Sequence, residues 1–98
     1  RVYAVTGVQT CALPISGMEG LTRGYAARLV RDGVTVNAVA PSQIESDMTA
    51  PHRAESEARV PMGRLGTGDE VAAVVVMLAG NAYMTGQTVA LNGGLHFS

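Results

Sequence analysis

Side chains able to do chemistry are sparse in this sequence, and their spacing narrows what they can do. Cys11 is the single cysteine, which excludes an internal disulfide framework and any multi-cysteine zinc site; no metal site is expected. All seven basic residues are arginine and lysine is absent, so a reaction needing a lysine ammonium cannot run on this chain alone. Val5-Thr6-Gly7 has the outline of a strand entering a phosphate-binding turn. That fingerprint needs further glycines for close backbone approach, and none occurs between Gly7 and Gly17. Pro41, Ser42 and Ser46, taken alone, read as a proline-initiated loop with serines at its turns. His52 beside Pro51 reads as an exposed loop residue, and Arg64 as a donor to loop carbonyls. Asn92-Gly93-Gly94 reads as a turn that uses glycine's φ freedom, not as a phosphate cradle.

These residues must be positioned by regular elements, and from Gly17 onward the pattern alternates. Met18, Leu21, Tyr25, Arg28 and Leu29 fall on or near one helical face, with Asp32-Gly33 as the stop. Residues 34–40, VTVNAVA, are a short β-branched run ended by Pro41, as in a buried parallel strand. Pro41 to Pro61 reads as a long polar loop with one short helix from Arg53 to Arg59, a length usually tied to function or disorder. Thr67-Gly68-Asp69-Glu70 has the form of a capping box, followed by Val71, Val74, Val75 and Leu78 at helical spacing. A Met84-Thr85-Gly86 turn and a strand from Gln87 to Leu91 complete the chain's order. The fold class is therefore α/β with a parallel sheet, here two strands and two main helices.

Composition agrees with a globular core and excludes several classes. Of 98 residues, 47% are hydrophobic and 15% charged, and the net charge of −1 offers no basic surface for nucleic acid or anionic membrane. No apolar run reaches the roughly 18–20 residues needed to cross a bilayer.

Residues 1–16 stand outside the pattern. Val5 to Ile15 back-translates to a common sequencing-library adapter read in frame, so 1–16 is expected to be adapter-derived or otherwise non-native, with the protein's own sequence resuming at 17–98. With only the last strand to flank it, the run 34–40 would leave one edge open. The isolated chain is then expected to be partly unfolded or to aggregate.

From Gly17 to the C-terminus the chain resembles the short-chain dehydrogenase/reductase family, in the branch of the 3-oxoacyl-carrier-protein reductases. Four stretches in family order carry the resemblance. Gly17-Met18-Glu19-Gly20-Leu21-Thr22-Arg23 is similar to the helix after the family's Tyr-x-x-x-Lys, and Val36-Asn37-Ala38-Val39-Ala40-Pro41 to the sixth strand. Pro61-Met62-Gly63-Arg64-Leu65-Gly66 is similar to the segment before the next helix. Thr85-Gly86-Gln87-Thr88 through Asn92-Gly93-Gly94 is similar to the last strand and its exit. The resemblance covers roughly the C-terminal third of a doubly wound (Rossmann) domain.

What the resemblance implies is an NAD(P)-dependent oxidoreductase moving hydride between nicotinamide and a ketone or secondary alcohol. Pro41, Ser42, Ile44 and Ser46 then take the cofactor positions, with backbone near Ile44 and the Ser46 hydroxyl fixing the carboxamide. Ser42 replaces the usual glycine, which would add strain if that position needed positive φ. Asp47 to Arg59 becomes a substrate lid, with Met48 as its candidate contact. The family's tyrosine and lysine positions fall on Cys11 and Ile15, so the chain itself is expected to be inactive, a fragment of the parent enzyme. NAD or NADP, a small carbonyl or alcohol substrate, a cytoplasmic location and a homo-oligomeric parent are likewise implied, with His96 as one residue that could face a neighbouring subunit. The alternative is a non-catalytic oligomerisation or interaction module of the same fold, using residues 17–32 and 70–91.

Overall fold

The computed structural model describes residues 2–6 and 12–97. In chain order they form β1 (Val2–Thr6), α1 (Ala12–Leu29) and a 3-10 turn (Val30–Asp32), then β2 (Thr35–Pro41). A second 3-10 turn (Ala50–His52), α2 (Arg53–Arg59), α3 (Gly68–Gly80) and β3 (Thr88–Leu91) follow. The three strands make one parallel sheet in the order β1-β2-β3, as an α/β arrangement with helical crossovers requires.

Both strands expected after residue 16 are present, each beginning one residue later than the sequence pattern suggests. The open edge expected on β2 is not: β1 pairs along it, with Val2 opposite Thr35 and Thr6 opposite Val39. The segment VYAVT is itself β-branched and aromatic, so it suits a strand whatever its origin. Cys11 lies outside the described residues. Ile15 falls within α1, which runs back to Ala12 and tolerates Pro14 because first-turn N–H groups have no intrahelical partner.

β2 is the centre of the core. Thr35 to Ala40 are all buried, which only a strand covered on both faces and paired on both edges can achieve. Val36 and Val39 lie there, and fully burying such a side chain is worth about 1.5–3 kcal/mol. Leu78 of α3 and Leu65 complete the apolar centre. Two polar residues lie in this run, Thr35 and Asn37, and the Asn37 side chain is wholly buried, with Nδ2 donating to the Met84 carbonyl (2.9 Å) and Oδ1 accepting from Gln87 N–H (3.1 Å).

The face that α1 buries differs from the expected one. Leu21 and Tyr25 are exposed, whereas Thr22 and Ala26 are buried. These small residues at i and i+4 bring the helix close to the sheet and to the turn at Gly86, where an added Cβ would lie 3.5 Å from Ala26 Cβ. The Thr22 hydroxyl stays satisfied by donating to the Met18 carbonyl at 2.8 Å. Gly33, at φ 74°, stops the segment where Asp32-Gly33 was expected to.

α3 follows its sequence signals closely. Thr67 Oγ1 accepts from Glu70 N–H (3.2 Å) while Glu70 Oε1 accepts from Thr67 N–H (3.0 Å), so the capping box is complete. Among the described residues, no helix is long and apolar enough to cross a membrane.

Candidate functional site

Ligands of open parallel sheets bind beyond the carboxyl ends of the strands, and there β2 gives way to the loop that carries the expected site residues. Pro41 is the last residue of β2 and pairs with Leu91. Ser42 prolongs the ladder, its N–H donating to the Leu91 carbonyl at 2.9 Å. Its backbone is therefore extended, and the strain expected at Ser42 is not there. The left-handed residue is the next one, Gln43, at φ 58°. A non-glycine residue in that region costs about 1–2 kcal/mol, so the turn is strained one position later than the family resemblance suggested.

Beyond Gln43 the loop is pinned to the segment before α3. Gly66 N–H donates to the Gln43 carbonyl (2.9 Å) and Glu45 N–H to the Gly66 carbonyl (2.8 Å), making a parallel bridge between Ile44 and Gly66. The bridge needs glycine's size, since a Cβ on Gly66 would lie 2.7 Å from Ile44 Cδ1. This pairing leaves the polar groups of Ile44 itself facing away from Gly66. Its carbonyl accepts from the Thr49 hydroxyl (3.0 Å), and its N–H meets no acceptor among the described residues. An unpaired donor held in a fixed loop is what a ligand carbonyl needs.

Ser46 starts a compact turn with Thr49. Ser46 N–H donates to Thr49 Oγ1 (2.8 Å), and Thr49 N–H donates to Ser46 Oγ (3.3 Å). The Ser46 oxygen thus accepts a main-chain bond and also lies 3.4 Å from Thr49 Oγ1, a contact in which either hydroxyl can be the donor. Thr49 was not singled out in the sequence, although the spacing Ser-x-x-Thr is the kind that closes such turns.

Three of the expected site residues line two separate hollows, and Pro41 and Ser46 line neither of them. Ser42 and Ile44 line a cavity of about 330 Å³ that also takes in Met62, Arg64, Glu70 and Asn92. Met48 is 88% exposed and lines a separate cleft of about 320 Å³ with Thr49, His52 and Arg59. α2, which contributes Arg59 to this cleft, is tied down by Arg53, whose Nη2 reaches Glu45 (2.6 Å) and whose Nε reaches Glu57 (2.8 Å). Hydrogen bonding to Glu57, then the nearby Glu45 charge, raises the already high guanidinium pKa.

Glu70 joins the wall of the first cavity to the α3 cap. Its carboxylate receives both Nη1 (2.8 Å) and Nη2 (2.9 Å) of Arg64, a bidentate pair, and Arg64 Nη1 also donates to the Leu65 carbonyl (3.0 Å). The Arg64 hydrogen bonds, helped by Thr67 N–H, hold the Glu70 carboxyl down at about 2. Among the described residues, no cluster of histidine, cysteine and carboxylates could hold a metal ion.

The family profile described as enoyl-(acyl carrier protein) reductase matches residues 4–96, nearly the whole chain. The chain belongs to this family, the short-chain dehydrogenase/reductases. Its family relatives include the 3-oxoacyl-(acyl-carrier-protein) reductase FabG of Pseudomonas aeruginosa, 47% identical over 89 residues covering 85% of this chain and 36% of that protein. The FabG of Vibrio harveyi is 45% identical over 87 residues, covering 83% of this chain and 36% of its own length. That of Thermotoga maritima is 39% identical over 100 residues, covering 96% of this chain and 41% of its length. The chain thus spans little more than a third of the length of these family members.

Proposed function

We propose that this chain is the C-terminal third of an NAD(P)-dependent oxidoreductase that transfers hydride between nicotinamide and a ketone or secondary alcohol, and that alone it is inactive. Family membership and the names of the relatives support the reaction class. The observation that carries the site is the unpaired Ile44 N–H, fixed beyond the carboxyl end of β2 by the bridge to Gly66. It suits the carbonyl oxygen of a carboxamide, and this reading turns the Ser46 hydroxyl from its long contact with Thr49 Oγ1 (3.4 Å) to the same group. Pro41 and Ser42 hold the start of this loop in the sheet, so the donors are positioned by rigid structure. Nicotinamide, when bound, supplies or accepts the hydride. This reading assigns Met48, exposed in the separate cleft, to contact with a small carbonyl or alcohol substrate once the loop closes.

Inactivity follows from the missing proton donor. A phenol near pKa 10 needs a neighbouring cation to exchange protons near neutrality. This chain has no lysine, and its residues at the family's tyrosine and lysine positions are Cys11 and Ile15. We read residues 1–16 as foreign on their back-translation, although the family match starts at residue 4 and β1 fills a sheet edge. Recovering the genomic DNA around codon 16 tests this, and a natural gene encoding Val5 to Ile15 would sink it.

The activity is tested by fusing residues 17–98 behind the upstream part of a FabG relative that ends in its own Tyr-x-x-x-Lys. The fusion is expected to oxidise NADPH or NADH with a 3-oxoacyl thioester or another ketone, and the chain alone is expected not to. Within the fusion, Ile44→Pro removes the unpaired N–H and should raise the KM for the dinucleotide. A folded fusion that reduces no carbonyl would overturn the proposal. A cytoplasmic enzyme and a homo-oligomeric parent accord with this reading. The alternative, a non-catalytic interaction module, draws on the exposed Leu21 and Tyr25 of α1 and Val76 of α3. It would be favoured by co-purification with a full-length reductase.

A further inference from the structure

We propose that Asn92 is a spontaneous deamidation site that the fold holds ready, with the backbone nitrogen of Gly93 as nucleophile and water as co-reactant. The nucleophile is exposed by the way the sheet ends. Parallel ladders alternate their donors between strands, and the last bond here runs from Ser42 N–H to the Leu91 carbonyl at 2.9 Å. Gly93 N–H is next in that alternation and meets no acceptor among the described residues. The electrophile is also prepared. Asn92 Oδ1 accepts from Gly94 N–H at 3.1 Å, which polarises Cγ and provides a donor for the charge that develops on this oxygen during attack. Nδ2 donates to the His96 carbonyl at 3.0 Å, so the side chain is folded over the turn that contains its attacker.

The structure demands the residue that makes cyclisation easy. Gly93 has φ 61°, and a Cβ there would collide with Val60 Cγ1. Position 93 therefore stays glycine, and its nitrogen carries no neighbouring side chain to hinder attack. Asn81 is an internal control: its Oδ1 accepts from Tyr83 N–H at 3.1 Å in the same kind of turn, but Ala82 follows it. Asn37 is sealed in the core.

In the reaction, Gly93 N gives up its proton and bonds to Asn92 Cγ, and the Cγ–Nδ2 bond breaks to release ammonia. Water then opens the resulting succinimide at either carbonyl, giving aspartate or isoaspartate. Both products place a carboxylate at the rim of the cavity that already holds Glu70, and both lose the donor to His96. Isoaspartate also inserts a methylene into the main chain where β3 ends.

The test is to incubate the full chain in neutral buffer, with and without urea, and to follow each asparagine by peptide mapping and isoaspartate quantification. Hydrogen exchange reports whether β2 is protected. With β2 protected, Asn92 should convert at least about tenfold faster than Asn81, and Asn92→Gln should abolish the isoaspartate. Equal conversion at the two sites would overturn the proposal. So would a urea-induced acceleration at Asn92 of about tenfold or more, which would show that the fold protects the site. An unprotected β2 would show that the turn does not form, and would overturn it as well.

Discussion

Replacing Asn37 by alanine should remove a large part of the chain's stability, because this amide joins β2 to the turn before β3. The perturbation deletes a donor to the Met84 carbonyl and an acceptor for Gln87 N–H, at a position with no solvent exposure. Each such bond contributes about 0.5–1.5 kcal/mol net, and a stranded buried partner costs about 1–3 kcal/mol. Gln87 and Met84 can each turn partly to water, so the lower part of that range applies, and a loss of about 2–4 kcal/mol is expected. Domains of this size hold only about 5–15 kcal/mol in all. Urea unfolding at low chain concentration reads the change, and hydrogen exchange at Gln87 N–H reads its location. Asn37→Leu separates packing from polar bridging, since leucine fills the space but pairs neither group. It should be no better than alanine. Full recovery by leucine, or a loss below about 1 kcal/mol for alanine, would refute the bridging argument.

Other expectations follow from the loop, the α3 cap and the exposed face of α1. Glu70 is depressed from 4.5 to about 2 by Arg64 and Thr67, so its contribution to the α3 cap is fully present above pH 4.5 and is lost as pH falls through about 2. Glu70→Gln should flatten that part of an acid titration followed by the Thr67 amide signal. Gln43→Gly removes the left-handed strain but adds freedom to the unfolded chain, and should raise stability by about 0.5–1 kcal/mol, measured by urea midpoint. Leu21→Ser with Tyr25→Ser removes two exposed apolar side chains from α1 and should lower self-association in analytical ultracentrifugation without weakening the fold.

Some of this was legible in the residues. β2 was readable because a β-branched run closed by proline is unambiguous at that length, and α3 because its capping box is a local motif. The buried face of α1 was not, because hydrophobicity pointed to Leu21 and Tyr25 while close packing selected the smaller Thr22 and Ala26. Asn37 was hidden for the opposite reason. A polar residue inside an apolar run shows its value only when partners 47 and 50 positions away are in place. At the candidate site, the sequence located the loop but misplaced its strained residue, since whether Ser42 or Gln43 turns depends on how far the ladder with β3 continues. Thr49 escaped notice because its role is wholly local to a turn whose existence the pattern did not establish.

The central strand also sets an order of events for the chain as it is made. β2 pairs on one edge with residues 88–91, which lie far downstream of it, so that edge closes late in synthesis whatever sequence precedes residue 17. While the ribosome adds residues at about 5–20 per second, the edge that awaits β3 stays bare for the time needed to make some fifty more residues, the separation across the Asn37–Gln87 bond. Contacts of such high sequence separation form slowly. A nascent chain of this kind would therefore leave this edge of β2 unpaired longer than any local contact, and β2, not the surface helices, is the segment that strand-capturing aggregation would reach first.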